Sequence, residues 1–324
     1  MEIFEKIIRS HERFLITTHD FPDGDGLGSE MALHFFLEKL GKSSAVVNTG
    51  PTPEKFQLVD PRREIRAYTP GDSLPPADAV FVVDTADWKM LGPLEKPVRD
   101  LGVPVVFIDH HIAEPEMTAG NIIDERFAST GELMYALIQG AGGEIDADTA
   151  LAIYVSIVTD TSSFRYRRTT AKSHTIAAEL LQKGVSPETV YQSIYARDSL
   201  GKLRLFGHVL QGVRTSPDER IAWLTVPKAA REGFGATIED TESFVAQLSL
   251  LEKVEIGILF REDDDGRIKV SLRGKGDVPV IGIAKKLGGG GHRHAAGVRL
   301  RLPLAEAIAV VCREAGALLE SRKP

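Results

Sequence analysis

Ile108-Asp109-His110-His111 closes the apolar run Pro104-Val105-Val106-Phe107 and sets a carboxylate and two imidazoles where a buried strand would end. The arrangement recurs. Phe14-Leu15-Ile16-Thr17-Thr18 leads into His19, with Asp23 and Asp25 just beyond, and Ala79-Val80-Phe81-Val82-Val83 leads into Asp84. Ala147, Ala150, Leu151, Tyr154 and Ile157 follow helical spacing, and the last turn of that helix carries Asp160. Short continuous apolar runs of this kind are expected of parallel strands covered on both faces. In an open α/β sheet, ligands gather in the crevice beyond the carboxyl ends of such strands. One Asp after one strand is ordinarily a cap or turn residue, and a His pair is ordinarily surface or packing. Four such groups in one chain point instead to a shared site. Asp23, Asp25, Asp84 and Asp160 would repel there without a counter-charge, and two divalent cations balance four carboxylates. A metal pair about 3.5–4 Å apart fits such a cluster.

Composition narrows the chemistry. The chain has 324 residues, 43% of them hydrophobic, enough for two cores. Its single cysteine, Cys312, lies in an apolar helical stretch, so no internal disulfide framework and no thiolate zinc site is expected. No signal-peptide pattern and no membrane-length apolar run is present, so a soluble, cytoplasmic protein is expected. The net charge of −7 argues against sequence-independent binding of long duplexes, which needs a broad basic surface. A small anion held by a few local cationic groups remains compatible with it.

The order of elements predicts an α/β protein of two domains: an N-terminal parallel-sheet domain over 1–195, a linker over 196–220 and a smaller α/β domain over 221–324. A helix is expected over 26–40, stopped by Gly41, and a strand at Ala45-Val46-Val47. Ser186-Pro187 supplies an N-cap and first-turn proline for the helix over 188–195. The polar stretch 196–220 carries no strand signal. Beyond it lie a strand over 221–226, a helix over 242–251 and two strands flanking Asp263-Asp264-Asp265-Gly266, which reads as a hairpin turn.

His19, Asp23 and Asp25 sit among Pro22, Gly24 and Gly26, read as a tight loop that turns several side chains toward one point. Mixed Asp and His ligation suits Mn²⁺ best, with Mg²⁺ or Co²⁺ as alternatives. Gly24-Asp25-Gly26-Leu27-Gly28 lacks the spacing of a dinucleotide fingerprint. A second strong feature is Gly288-Gly289-Gly290-Gly291-His292-Arg293-His294, whose successive N–H groups can form an anion-binding nest. On the strand Lys269-Val270-Ser271-Leu272-Arg273, Lys269, Ser271 and Arg273 share one face. Arg273 reads as a phosphate ligand, since a guanidinium binds bidentately. Whether Arg165, Arg167 and Arg168 touch substrate is left open, and His11, His34, His174 and His208 read as surface or packing residues.

With these residues in hand, the sequence resembles the DHH phosphoesterase superfamily over its full length. His19-Asp23-Asp25, Asp84, Asp109-His110-His111 and Asp160 match the four N-terminal motifs in order, and the Gly-rich GGGGH element matches the DHH-associated domain. The compact length is similar to that of the bacterial nano-RNase (oligoribonuclease)/pAp phosphatase branch. The resemblance implies one Mn²⁺ held by His19, Asp23 and Asp84 and a second by Asp25, Asp84, His110 and Asp160, with Asp84 bridging. It implies that His111 faces the scissile phosphate. It further implies that Arg273, Gly289, Gly290, Gly291 and His292 hold the substrate's distal part across an interdomain cleft. The implied activity is 3′–5′ hydrolysis of short single-stranded oligonucleotides and of 3′-phosphoadenosine 5′-phosphate (pAp), a nucleoside bisphosphate, with no membrane partner. A homodimer is admitted as the assembly. The alternatives are a cyclic or linear dinucleotide phosphodiesterase, a polyphosphatase, and a nucleotide-binding regulator without turnover.

Overall fold

The computed structural model describes residues 2–291 and 293–322, and the chain divides into two units, Met1–Arg197 and Asp198–Pro324. In the first unit, strands β1 (Arg13–Thr17), β2 (Ser43–Asn48), β3 (Arg66–Ala67), β4 (Ala79–Val83), β5 (Val105–Asp109) and β6 (Ile122–Ile123) form one sheet in the order β3-β2-β1-β4-β5-β6. Every neighbouring pair is parallel. Helices α1 (Glu2–Ser10), α2 (Gly24–Lys39), α3 (Glu95–Asp100), α4 (Pro115–Thr118), α5 (Thr130–Gly140), α6 (Ala147–Asp160), α7 (Ala171–Gln182) and α8 (Pro187–Ile194) complete it.

Both faces of the sheet are buried, as its unbroken apolar strands require. Phe14, Ile16, Phe81, Val83, Val106 and Ile108 point into the core shared with Leu27, Met31, Ile153 and Ile157. The alternate residues Leu15, Val80, Val82 and Phe107 pack with Leu91, Leu94 and Val98 on the other face. Each such side chain contributes about 1.5–3 kcal/mol by leaving water. That burial fixes the register, since a one-residue slip would turn every side chain to the wrong face.

The glycines around Asp25 have a different role from the one expected. Gly24, Asp25 and Gly26 form the first turn of α2 rather than a loop. A Cβ at Gly24 would lie 2.2 Å from Thr159 Oγ1, one at Gly26 2.6 Å from Thr18 Oγ1, and one at Gly28 2.3 Å from the Ala152 carbonyl oxygen. Bare backbone is needed because α6 and the end of β1 press against this helix.

The second unit begins earlier than expected. Helix α9 (Leu200–Leu210), inside the stretch read as a linker, buries Leu205 and Val209 with Leu224, Phe244 and Leu259 of this unit. Strand β7 (Arg214–Thr215) then pairs with β8 (Ile221–Val226), where no strand was expected. After α10 (Lys228–Gly233), the helix expected over 242–251 is only α11 (Phe244–Leu248). Its ends tighten because Ser249, Leu250 and Leu251 donate to carbonyls three residues back. Strands β9 (Ile256–Glu262) and β10 (Ile268–Gly274), helix α12 (Ile281–Lys286), strands β11 (Gly290–Gly291) and β12 (Ala295–Leu300), and helix α13 (Leu304–Glu320) follow. The sheet order is β11-β12-β10-β9-β8-β7, with β8 and β9 parallel and the other pairs antiparallel. Among the described residues, no helix is long and apolar enough to cross a membrane.

Candidate metal centre

The winding of the first sheet reverses between β1 and β4, and the crevice at such a point lies beyond their carboxyl ends. Thr17 ends β1 and His19 follows two residues on, Val83 ends β4 with Asp84 next, and β5 ends in Asp109 itself. The Asp84 backbone has φ 60°, a left-handed conformation unusual for a residue with a Cβ. Such strain costs on the order of 1–3 kcal/mol and gathers at functional sites. Here it is held by the Asp84 N–H donating to the Ile108 carbonyl at 2.9 Å and by Thr130 Oγ1 donating to Asp84 Oδ1 at 3.0 Å.

The six residues expected to bind metal meet in two groups, His19 with Asp23 and Asp84, and Asp25 with His110 and Asp160. Asp84 lies between them. Its Oδ2 is 3.6 Å from His19 Nε2 and its Oδ1 is 3.9 Å from His110 Nε2. His110 Nε2 also stands 3.4 Å from Asp25 Oδ2 and 3.4 Å from Asp160 Oδ2. Asp23 caps α2, accepting from the Asp25 and Gly26 N–H groups through Oδ1.

The electrostatics fit bound metal cations. Burial, and then repulsion from Asp25, Asp23, Asp109 and Asp160, holds the Asp84 carboxyl well above its usual range. Burial and the charges of Asp25 and Asp23 push Asp160 up to about 7. Burial also draws the His19 and His110 imidazoles below their ordinary value, which keeps them neutral and able to donate a lone pair. His110 Nε2 is buried with no hydrogen-bond partner, while Nδ1 lies 3.3 Å from the Phe127 carbonyl oxygen. Arg168 Nη1 is also 3.3 Å from Nδ1. With the Nδ1 proton given to the Phe127 carbonyl, Nε2 would offer its lone pair to a ligand, the usual arrangement behind a metal-bound imidazole. Carboxylates that resist ionisation beside an unpartnered ring nitrogen fit a bound metal cation.

His111 differs from its neighbour. Its Nδ1 is 2.8 Å from Asp109 Oδ1, which also accepts from the His110 and His111 N–H groups at 2.7 and 3.2 Å. Burial pulls the His111 pKa down, but the hydrogen bond and charge of Asp109 outweigh this and the net shift is upward. For Asp109 burial is the largest single influence and raises the carboxyl, but the same bond, with the charges of His111 and His110 and the His111 N–H, together outweighs it and holds the carboxyl low. Asp109 thus orients His111 and stabilises its cationic form.

Several supporting residues were not foreseen. Asp25 accepts from the Thr130 and Gly131 N–H groups at 2.9 and 3.1 Å and from Ser156 Oγ at 2.5 Å. The first two are the opening amides of α5, whose positive dipole end favours a carboxylate. Gly131 must be bare, since a Cβ would lie 2.0 Å from Ser156 Oγ. Arg168 donates to the His110 carbonyl oxygen at 3.2 Å, and Arg165 donates to Ser162. Between Asp160 and these arginines, Ser162, Ser163 and Phe164 take left-handed φ values of 49, 57 and 64°. Away from this centre, His34 is buried near Glu38 and Glu64, whose carboxylates both pair with Arg62.

In the second unit, Arg273 lies at the end of β10 opposite Ala295 of β12, and Gly291 pairs with Ala296 on the other side of that strand. Arg273 donates to the Leu272 carbonyl oxygen at 3.1 Å. The expected nest is partly a strand pair: Gly290 and Gly291 form β11. Their neighbour Gly289 is bare because a Cβ would fall 2.2 Å from the Gly297 carbonyl oxygen. His294 Nδ1 contacts the Val278 carbonyl oxygen at 3.0 Å. His292 lies outside the described residues.

Residues 13–157 match the DHH family, N-terminal domain, and residues 222–320 match the DHHA1 domain. The chain is 33% identical to a Thermus thermophilus protein named bifunctional oligoribonuclease and PAP phosphatase NrnA, over 93% of this chain and 88% of that protein. A Bacillus subtilis protein of the same name is 28% identical over 91% of each. The crystal structure of an exopolyphosphatase-related protein from Bacteroides fragilis superposes with a TM-score of 0.90 at 28% identity, covering 98% of this chain and 95% of that one. Matched through both domains and nearly end to end, the chain belongs to the DHH family of phosphoesterases and is a hydrolase.

Proposed function

We propose that this protein hydrolyses phosphoester bonds in very short oligoribonucleotides and in pAp, with two divalent cations, Mn²⁺ by preference, at the first unit's crevice. The observation that carries the reading is the position of Asp84, with one carboxylate oxygen toward His19 and the other toward His110. A carboxylate so placed can bridge two ions, with His19 and Asp23 on one side and Asp25, His110 and Asp160 on the other. The names of the Thermus and Bacillus relatives support the choice of substrate. When bound, the ions supply an activated water near neutral pH and a clamp on the phosphoryl oxygens.

The chain's own residues do the rest. Asp25 is fixed by α5 and Ser156, so its carboxylate is presented in one orientation. His111, held through Nδ1 by Asp109, keeps Nε2 to donate a proton to a phosphoryl or leaving oxygen. In the second unit, Arg273 and the Gly289–Gly291 backbone, with His292, are proposed to hold a further phosphate or nucleotide.

Release of phosphate from pAp and cleavage of a dinucleotide, each with and without Mn²⁺ after chelation, test the reading. Turnover of both only with the metal is expected. Turnover of polyphosphate or a cyclic dinucleotide alone would favour the alternatives, and tight nucleotide binding without turnover would make the protein a regulator.

A further inference from the structure

Singly exposed apolar side chains are ordinary on a protein surface, so it is position beside a site, not exposure alone, that gives one meaning. Phe21 and Ile112 are the two most exposed among the described residues, at 84% and 83%. Both sit in the loops that carry the metal-binding side chains. Phe21 lies midway between His19 and Asp23, and Ile112 directly follows His111. Two residues of chain span at most about 7 Å, so the Phe21 backbone stays within that distance of both candidate ligands.

The loop around Phe21 is pinned on both sides. The Asp20 N–H donates to the Met90 carbonyl at 2.6 Å, and Thr49 Oγ1 donates to the Asp20 carbonyl at 2.8 Å. Beyond Phe21, Asp23 is locked as the cap of α2. The ring is therefore carried on a fixed backbone while its face stays open. The surrounding site is acidic, so an apolar ring does nothing for the ions or for a phosphate. It suits the uncharged, flat part of a nucleotide.

We propose that Phe21 is a stacking platform for the nucleobase of the nucleotide whose phosphate lies at the metal centre, with Ile112 as a second apolar contact. The assignment rests on the phosphoester reading and adds what recognises the base. Stacking is tolerant of base identity, so it favours nucleotides over base-free phosphates without imposing a sequence.

Binding of AMP and of ribose 5-phosphate, which differ only in the base, tests this by calorimetry on the Mn²⁺-loaded protein. The wild type should bind AMP about tenfold more tightly than ribose 5-phosphate. Phe21→Ala should erase that preference while leaving ribose 5-phosphate affinity and metal content unchanged, and Phe21→Trp should keep it. An AMP preference that survives Phe21→Ala, a wild type with no preference, or equal weakening of both ligands would overturn the proposal. Dinucleotide hydrolysis measured alongside separates the two readings: its absence with a Phe21-dependent AMP preference would fail the enzyme reading alone.

Discussion

Asp84 is where strain, burial and charge coincide. Its carboxylate oxygens lie 3.6 and 3.9 Å from the ring nitrogens of His19 and His110, so Asp84→Ala should be the most damaging single change at the centre. We expect a loss of roughly a thousandfold or more in kcat, with bound metal falling together at both positions. Near-normal turnover, or loss of one ion only, would contradict the bridging role. His111 should behave otherwise. His111→Ala should lower kcat by about a hundredfold to ten-thousandfold, as for loss of a general acid, with metal content unchanged. Because Asp109 raises the His111 pKa, the protonated donor is present below that pKa and is lost as pH rises through it. Asp109→Asn should therefore move the basic limb of the rate profile to lower pH. An unmoved limb would remove His111 from the proton transfer. Most of these residues were legible in the sequence because each follows an apolar run. Thr130, Gly131 and Ser156 were not, since they act on Asp25 through two amides and a hydroxyl more than a hundred residues away, with no local pattern.

Among elements, α2 carries the heaviest demands. Its first turn presents Asp25, and the whole helix through Leu37 is buried. The helix over 26–40 was legible in the sequence, but the glycines of its first turn suggested a loop. The bare positions Gly24 and Gly28 make sense only against α6, an element far along the chain. Gly28→Ala should thus cost about 1–3 kcal/mol through overpacking, read as a lowered denaturation midpoint; an unchanged midpoint would mean that α6 yields freely. Farther along α2, Glu30 is fully buried and accepts from Asn48 Nδ2 at 2.9 Å. Burial chiefly, with Asp60 adding and Asn48 opposing, pushes its pKa up to about 8. A carboxyl raised on folding lends stability below its unfolded value and loses it as pH rises through the folded one. Glu30→Gln should be increasingly favoured over the wild type from about pH 5 to about pH 9, followed by thermal unfolding. A difference independent of pH would rule out the buried acid. The strands β1, β4 and β5 were readable because apolar runs bounded by breakers leave few choices. The two-residue strands β3 and β6 and the glycine pair of β11 were not, because pairing partners define them rather than composition.

At the scale of the molecule, a parallel α/β unit bearing an acidic crevice is joined to a mixed-sheet unit bearing a Gly-rich edge and Arg273. The net charge of −7 makes a long, densely charged phosphate backbone a poor partner. A short substrate brings few phosphates, and those few can be met by bound cations and a handful of local donors. Substrate length is therefore the property in which composition, site chemistry and the proposed activity all meet. The direct measurement is kcat/KM for pAp, a dinucleotide, a pentanucleotide and a strand of about two dozen nucleotides at fixed ionic strength, since charge-dependent binding varies with salt. Each is taken on chelator-treated protein before and after Mn²⁺ is restored. The account predicts no turnover without the metal, recovery with it, and far higher efficiency on pAp and the shortest oligonucleotides than on the long strand. Turnover that survives chelation, or equal or better efficiency on the long strand, would contradict it.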